Sequence, residues 1–438
     1  MATPQSSSSI NQGAKSNIYA TESKYTVSKE LKFSPETYEK VSCDLFKGYL
    51  LLRFPYLESY QRNDLFYIPA NVLIPEQIEE MFSYIYSLGL FTMGYTDGDI
   101  RFAIDQEICR NEALNSYNRD VGVSIKRETV VDELKSIFMA LREFLVVEYF
   151  TSMNVVQAEA MVHNKGFFVK ETDSGNRVSI ELENWAGNES TENTMEDFTQ
   201  KNLEDLIKDI DKFPTPDEKE EAVFRTLQAL RPVAVALDFM VATTRPVASS
   251  VEGKTVITEV KKESIEHFDV KPENIFLRKL ISSKNGKVVS NLILGDYGLA
   301  QGTLKRRSDI VAGTAVYMAP ELLSDYYSDS ITSADIYSFA VTIAYILFGT
   351  LPETHFNMGT AMPNPKHTPP RTFGDANYQT NLYAADDQLD ELILRGLVTE
   401  TNIDQLIEVL AKGMSLYPKQ RYTSCREMLD DVIRIING

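Results

Sequence analysis

The chain has 438 residues, 43% hydrophobic and 24% charged, ordinary globular usage that excludes fibrous and wholly disordered classes. Its formal charge of −19 would repel a phosphate backbone or an anionic membrane over much of the surface, so neither nucleic acid nor membrane is expected as the main partner. Cys43, Cys109 and Cys425 lie far apart with no C-x-x-C pair, which suits a reducing, cytoplasmic compartment.

The start, MATPQSSSSINQGAK, has no apolar core of the secretory kind, and Ala2 stands where N-myristoylation needs glycine. Residues 1–24 are rich in Ser, Gln, Asn and Thr without hydrophobic period, and a disordered tail is predicted. Ser34-Pro35-Glu36 reads as a helix start, followed by Tyr38, Val41 and Leu45 at helical spacing. PEQIEEMFSYIYSLG predicts a second helix with Ile78, Met81, Ile85 and Leu88 on one face. Residues 25–85 thus form a helical extension without an assignable motif, and a regulatory partner could dock there.

From 86 to 186 strand patterns dominate around one long helix. LFTMGYTDGDIRFAID reads as two apolar runs about a glycine turn, and VGVSIK as a short strand ending at Lys126. VVDELKSIFMALREFLVVEYFTSM is helical by length and spacing, whereas AEAMVHNKGFFVKE and RVSIELENW return to strand alternation. Beyond Gly187 helices take over, and Pro232 should kink or interrupt the long pattern over 219–240. The longest apolar run, ADIYSFAVTIAYILFG, is shorter than the ~20 residues that span a bilayer and carries Asp335. It is predicted to be a buried helix.

HFDVKPENIFL, residues 267–277, places His, Asp, Lys and Asn just before an apolar strand. Asp269 could take a proton from a hydroxyl, Lys271 could steady a phosphoryl group, and Asn274 offers an oxygen to a hard cation. Taken alone, the tripeptide also fits a capped turn. LILGDYG then ends an apolar strand on Asp296 between glycines, and Asn285-Gly286 between the two strands predicts a hairpin. Asn274 and Asp296 would then sit at neighbouring strand ends and face one ion.

Downstream come GTAVYMAPE (313–321), DIYS (335–338) and PKQR (418–421). H-x-D-x-K-P-x-N, D-Y-G, A-P-E, D-x-Y-S and P-x-x-R in this order resemble a eukaryotic-type protein kinase of the Ser/Thr class. The resemblance implies an α+β, bilobal kinase fold, with a small β-rich N-lobe over 86–186 and a larger, mostly helical C-lobe over 187–438. It implies Mg²⁺/ATP-dependent transfer to Ser/Thr hydroxyls of protein substrates, with Asp269 as base, Lys271 on the phosphoryl group, and Asn274 and Asp296 on Mg²⁺. Glu321 would pair with Arg421, Asp335 would brace the loop, and Thr314 would contact Asp269.

The resemblance also requires a strand lysine paired with a helix glutamate. VSIK nominates Lys126, with Ser124 lining the adenine; the helix offers Glu133, Glu143 and Glu148, and counting back from MNVVQ favours Glu143. IELENWAG resembles the hinge, with Leu182 as gatekeeper and the backbones of Glu183 and Trp185 meeting the adenine edge. MGYTDGDIRFA is the nearest match to the glycine loop, with Gly98 and Ile100 in register and Asp97 and Asp99 repelling phosphate.

Phe268 stands where the family usually has arginine, so modification of Ser308 is expected to modulate rather than switch. An insertion over about 241–262 contains GKTVITEVKKE, which alternates like a hairpin strand. Acids clustered from Glu181 to Glu221 suggest a basic peptide substrate. The competing reading is a pseudokinase or kinase-like scaffold, against which stands the presence of Lys126, Asp269, Asn274 and Asp296 together.

Overall fold

The computed structural model describes residues 11–12, 16–20, 26–32, 39–62, 65–90, 97–110, 127–153, 155–172, 175–183, 202–243, 245–251, 254–281, 288–302, 314, 316–323, 333–351, 397–398 and 402–437. Two compact units emerge, one of Met1–Val155, Val162–Gly187 and Pro246–Lys262, the other of Val156–Met161, Asn188–Arg245 and Glu263–Gly438.

The first unit is built on a sheet of seven strands. In chain order come β1 (Asn11–Gln12), β2 (Ser16–Ala20) and β3 (Thr26–Leu31), then α1 (Glu39–Arg53), β4 (Gln61–Arg62) and β5 (Leu65–Pro69). Next are α2 (Pro75–Ser87), α3 (Asp97–Arg110), α4 (Arg127–Ser152), β6 (Asn164–Thr172) and β7 (Gly175–Glu183). The strand order is β1-β2-β3-β7-β6-β5-β4, and every pairing is antiparallel. Proline at the first position and Glu76 in the first turn start α2. Ile78, Met81, Phe82 and Ile85 recur at its three- and four-residue spacing and are buried. In α4, residues 140–150 are all buried, because the helix packs on β3, β6 and β7 and also on α1, α2 and α3.

Three expectations are corrected here. Residues within 1–24 include paired strands β1 and β2, so the predicted disordered tail does not hold over Asn11–Gln12 and Ser16–Ala20. The polar composition of this stretch hid them, since short edge strands need little apolar surface. Residues 25–85 are not an appendage before the sheet. β3 lies inside it between β2 and β7, and β5 extends its other side against β6, so the boundary placed at residue 86 falls inside one unit. The predicted glycine turn about residue 98 is instead the helix α3. Ile100 and Ile104, four apart, are buried on one face, which is helical period rather than strand alternation.

The second unit is mostly helical. Its first elements are α5 (Leu203–Ile210), α6 (Pro216–Ala229) and α7 (Arg231–Ala242). An Asn202–Asp205 capping box starts α5 and Thr215 caps α6. Pro232 does interrupt the long helical pattern: α6 ends at Ala229, and the proline lies in the first turn of α7, where its missing N–H costs nothing. After α7 the chain returns to the first unit, where a two-stranded sheet of β8 (Arg245–Val251) and β9 (Lys254–Glu263) forms the expected hairpin of the insertion.

Short strands follow: β10 (Ile265–Glu266), β11 (Ile275–Ile281), β12 (Val288–Leu294) and β13 (Gln301–Gly302). Four helices complete the second unit, α8 (Pro320–Leu323), α9 (Ala334–Phe348), α10 (Ile403–Gly413) and α11 (Cys425–Ile436). All of α9 except Tyr345 is buried, surrounded by α6, α10 and α11. This is the predicted core helix. Among the described residues, no helix is long and apolar enough to cross a membrane.

Candidate active site

The loop from Glu266 to Asn274 links β10 to β11 and is fixed from below by one buried carboxylate. Asp335, at the start of α9, accepts the backbone N–H of His267 at 2.6 Å and that of Phe268 at 2.8 Å. Both oxygens are used, and the grip holds Phe268 at φ 60, a left-handed conformation uncommon for a bulky residue. His267 is fully buried; its Nε2 donates to Gly295 O at 3.1 Å and its Nδ1 accepts the Asp269 N–H at 3.3 Å. The imidazole thereby ties this loop to the residue before Asp296.

Asp269 is the node of the loop. Its Oδ2 accepts Asn274 Nδ2 and pairs with Lys271 Nζ, each at 2.9 Å, and its Oδ1 accepts the Thr314 N–H at 3.3 Å. Lys271 Nζ also donates to Thr314 Oγ1 at 2.7 Å. The predicted contact of Thr314 with Asp269 is present. A carboxylate held by an ammonium, an amide and a backbone N–H keeps a fixed direction.

Asn274 gives its second amide hydrogen bond to Asp269 O at 2.9 Å. Both bonds are made through Nδ2, which leaves the amide oxygen as the atom a hard cation accepts. β11 and β12 pair from Ile275↔Leu294 to Ile281↔Val288, as the hairpin reading required. That register sets Asn274 beside Gly295, whose N–H donates to Asn274 O at 2.9 Å. Asp296 follows, exposed and at φ 61. The donor set is hard oxygen on two adjoining strand ends, which suits Mg²⁺ completed by water and phosphate oxygens. Behind it, Tyr297 is buried, its hydroxyl donates to Leu294 O at 2.9 Å, and its ring meets His267 edge-on at 5.0 Å. Tyrosine is accommodated there because its polar end finds an acceptor.

Structural supports predicted from sequence are also in place. Arg421 and Glu321 form a two-pronged pair at 2.6 and 2.7 Å with both side chains fully buried, and Arg421 also donates to Ser415 O and Ser333 O. One residue went unnoticed in the sequence: Glu266, fully buried, accepts the N–H groups of Ser333 and Asp335. Burial raises its carboxyl well above the usual range, reinforced by the charge of Asp335, whose own carboxyl is likewise raised by burial.

In the first unit the picture differs from expectation. Glu143 lies on α4 as predicted, but it pairs with Lys29 Nζ at 2.7 Å, and Lys29 stands on β3 beside β7. The sequence reading gave this role to Lys126, which lies outside the described residues together with Ser124, Trp185 and Ser308. Lys29 too went unnoticed in the sequence. TVSKEL carries the strand signal and a lysine, but 114 positions separate Lys29 from Glu143. Next to Glu143, burial lowers the Arg142 guanidinium to about 10 while the Glu143 charge opposes the shift. Glu183 ends β7, and Leu182 pairs with Val27 and Asn164 across the sheet. Gly98 and Ile100 do not form a phosphate-cradling turn, for they lie within α3, Gly98 exposed and Ile100 buried.

A family model described as the protein kinase domain matches residues 255–432. A probable serine/threonine-protein kinase of Dictyostelium discoideum is 42% identical over 79 residues, 18% of this chain and 5% of the relative. The serine/threonine-protein kinase PEPKR2 of Arabidopsis thaliana is 36% identical over 98 residues, 22% of this chain and 18% of the relative. This chain therefore matches less than a fifth of the length of either. Among solved structures, the PknI kinase domain of Mycobacterium tuberculosis aligns over 63% of this chain and 71% of its own, at 18% identity and a TM-score of 0.31.

Proposed function

We propose that the chain, whose residues 255–432 match the protein kinase family model, transfers the γ-phosphate of ATP to serine and threonine hydroxyls of protein substrates. The observation that carries this reading is Asp269, its carboxylate aimed by Lys271, Asn274 and Thr314 together.

Asp269 accepts the hydrogen bond of the substrate hydroxyl and takes its proton as the new O–P bond forms and the bond to the leaving ADP oxygen breaks. Lys271 Nζ, already between Asp269 and Thr314, offsets the negative charge on the moving group. Asn274 Oδ1 and the Asp296 carboxylate would hold Mg²⁺, which neutralises phosphate charge when bound. Lys29, oriented by Glu143, takes the α- and β-phosphates in place of Lys126. The paired strands β1 and β2, which continue the sheet beyond β3, take the phosphate-covering part in place of Gly98 and Ile100.

Substrate preference is read from charge. Between Asn202 and Glu221 stand eight acids and three lysines, and Asp211, Asp217 and Glu218 are exposed. A basic peptide fits that surface.

The test is transfer of γ-phosphate from ATP to a mixed basic protein substrate, with and without Mg²⁺, for wild type, Asp269→Asn and Asp296→Asn. Labelling by wild type that needs Mg²⁺ and is lost in both variants supports the reading. Silence of all three, without nucleotide binding, would make the chain a kinase-like scaffold.

A further inference from the structure

Lys29 and Glu143 make one ion pair, yet residues 32–126 lie between β3 and α4. The described part of that segment supplies α1, β4, β5, α2 and α3 to the same unit. It does two things. β5 lengthens the sheet along β6, from Leu65↔Lys170 to Pro69↔Gly166, and the Tyr67 ring fills the space where a Cβ at position 166 would lie. The helices α1, α2 and α3 meanwhile pack on α4. Phe46 on α1 and Tyr84 on α2 both meet Phe138, at 5.1 and 6.0 Å, and Phe82 meets Tyr149 at 5.4 Å.

Polar bonds grip α4 at three heights. Ser42 Oγ donates to Glu133 Oε2 near its start. Arg142 donates to Leu90 O at 2.6 Å in its middle. Near its end Glu148 Oε2 accepts the Asn71 N–H at 2.7 Å, while Oε1 accepts Asn164 Nδ2 at 3.2 Å. Glu133, Arg142 and Glu148 are all buried, and Glu143 lies between the grips. One residue advances a helix by about 100°, so Arg142 can bond Leu90 while Glu143 bonds the sheet lysine. Any rotation or outward shift of α4 that parts Glu143 from Lys29 must strand these buried groups as well, and unmade buried hydrogen bonds are costly.

We propose that the described part of this segment, with α1, β5, α2 and α3, is a built-in clamp that holds α4 with Glu143 engaged on Lys29, so that the nucleotide-binding half is assembled without a separate regulatory partner. Ser42, Asn71, Arg142 and Glu148 are positioning residues in this scheme. The kinetic consequence rests on the phosphotransfer reading; the hold on α4 does not.

Two measurements on the full chain separate the claims: hydrogen–deuterium exchange over α4, with α9 as internal control, and the KM for ATP beside kcat. The variants are Glu148→Ala, which removes both acceptors; Glu148→Gln, which keeps one for Asn71; and Ser42→Ala, which removes a single hydroxyl. For Glu148→Ala, exchange in α4 should rise about tenfold with α9 unchanged, and the KM for ATP should rise by a similar factor with kcat less affected. Glu148→Gln should recover part of each change, and Ser42→Ala should show a smaller shift in the same direction. If α4 exchange stays at the wild-type rate in Ser42→Ala and Glu148→Gln, or rises equally in α9, the clamp is refuted, whatever Glu148→Ala does. An active wild type with unresponsive α4 refutes the clamp alone. An inactive wild type whose α4 responds as expected refutes the phosphotransfer reading alone.

Discussion

At the scale of single residues, the loop of Asp269 depends on charges that never meet water. Arg421 and Glu321 are both fully buried, and removing one leaves the other without compensation. Arg421→Leu should therefore cost about 3–5 kcal/mol of stability, measured by urea unfolding; a loss below about 1 kcal/mol would mean that the pair acts like a surface contact. Glu266 gives a pH signature. Its carboxyl is raised in the folded state by burial and by Asp335, so the folded chain holds a proton that the unfolded chain releases. The stabilisation is full below the ordinary carboxylate value of about 4.3 and is lost as pH rises through the raised native value. Calorimetry from pH 5 to 8 should show wild type losing more Tm on the alkaline side than Glu266→Gln, and parallel profiles would contradict this. The sequence exposed Asp269, Lys271, Asn274 and Asp296 because all four lie within 28 positions and their strands are joined by a short hairpin. Lys29 stayed hidden for the opposite reason: its partner is 114 residues away, and VSIK, just ahead of the helix, offered a nearer lysine.

Helices and strands were legible in proportion to their period. α2, α4, β6 and β7 carry long, clean patterns and lie where those patterns put them. α3 did not, since its glycine and aspartates speak for a turn while only Ile100 and Ile104 reveal the helical face. β1 and β2 are short and polar, and their pairing to β3 is a tertiary fact that no local window contains. Close packing of elements also makes a prediction. A Cβ on Gly413 of α10 would lie 2.5 Å from Met428 Sδ and 2.7 Å from Ala340 Cβ on the core helix α9. Gly413→Ala gains helix propensity yet must push these helices apart, and overpacking costs about 1–3 kcal/mol. Thermal unfolding should show a lower Tm, whereas a raised Tm would show that propensity prevails and the contact yields.

Across the whole molecule, the kinase family match begins at residue 255, while the Lys29–Glu143 pair and its sheet lie before residue 184. The segment between β3 and α4 that sets Lys29 far from Glu143 in sequence also packs α1, α2 and α3 on α4. If the proposed function holds, the net charge of −19 makes encounter with a basic substrate sensitive to salt. The central claim is phosphoryl transfer by Asp269 with Lys29, not Lys126, on the nucleotide. Initial rates of Mg²⁺-dependent γ-phosphate transfer to a basic protein, for wild type, Lys29→Met and Lys126→Met, test it most directly. The account predicts an active wild type, a fall of about a hundredfold or more for Lys29→Met, and near wild-type rates for Lys126→Met. A silent wild type, or loss on changing Lys126 with Lys29 dispensable, would contradict it.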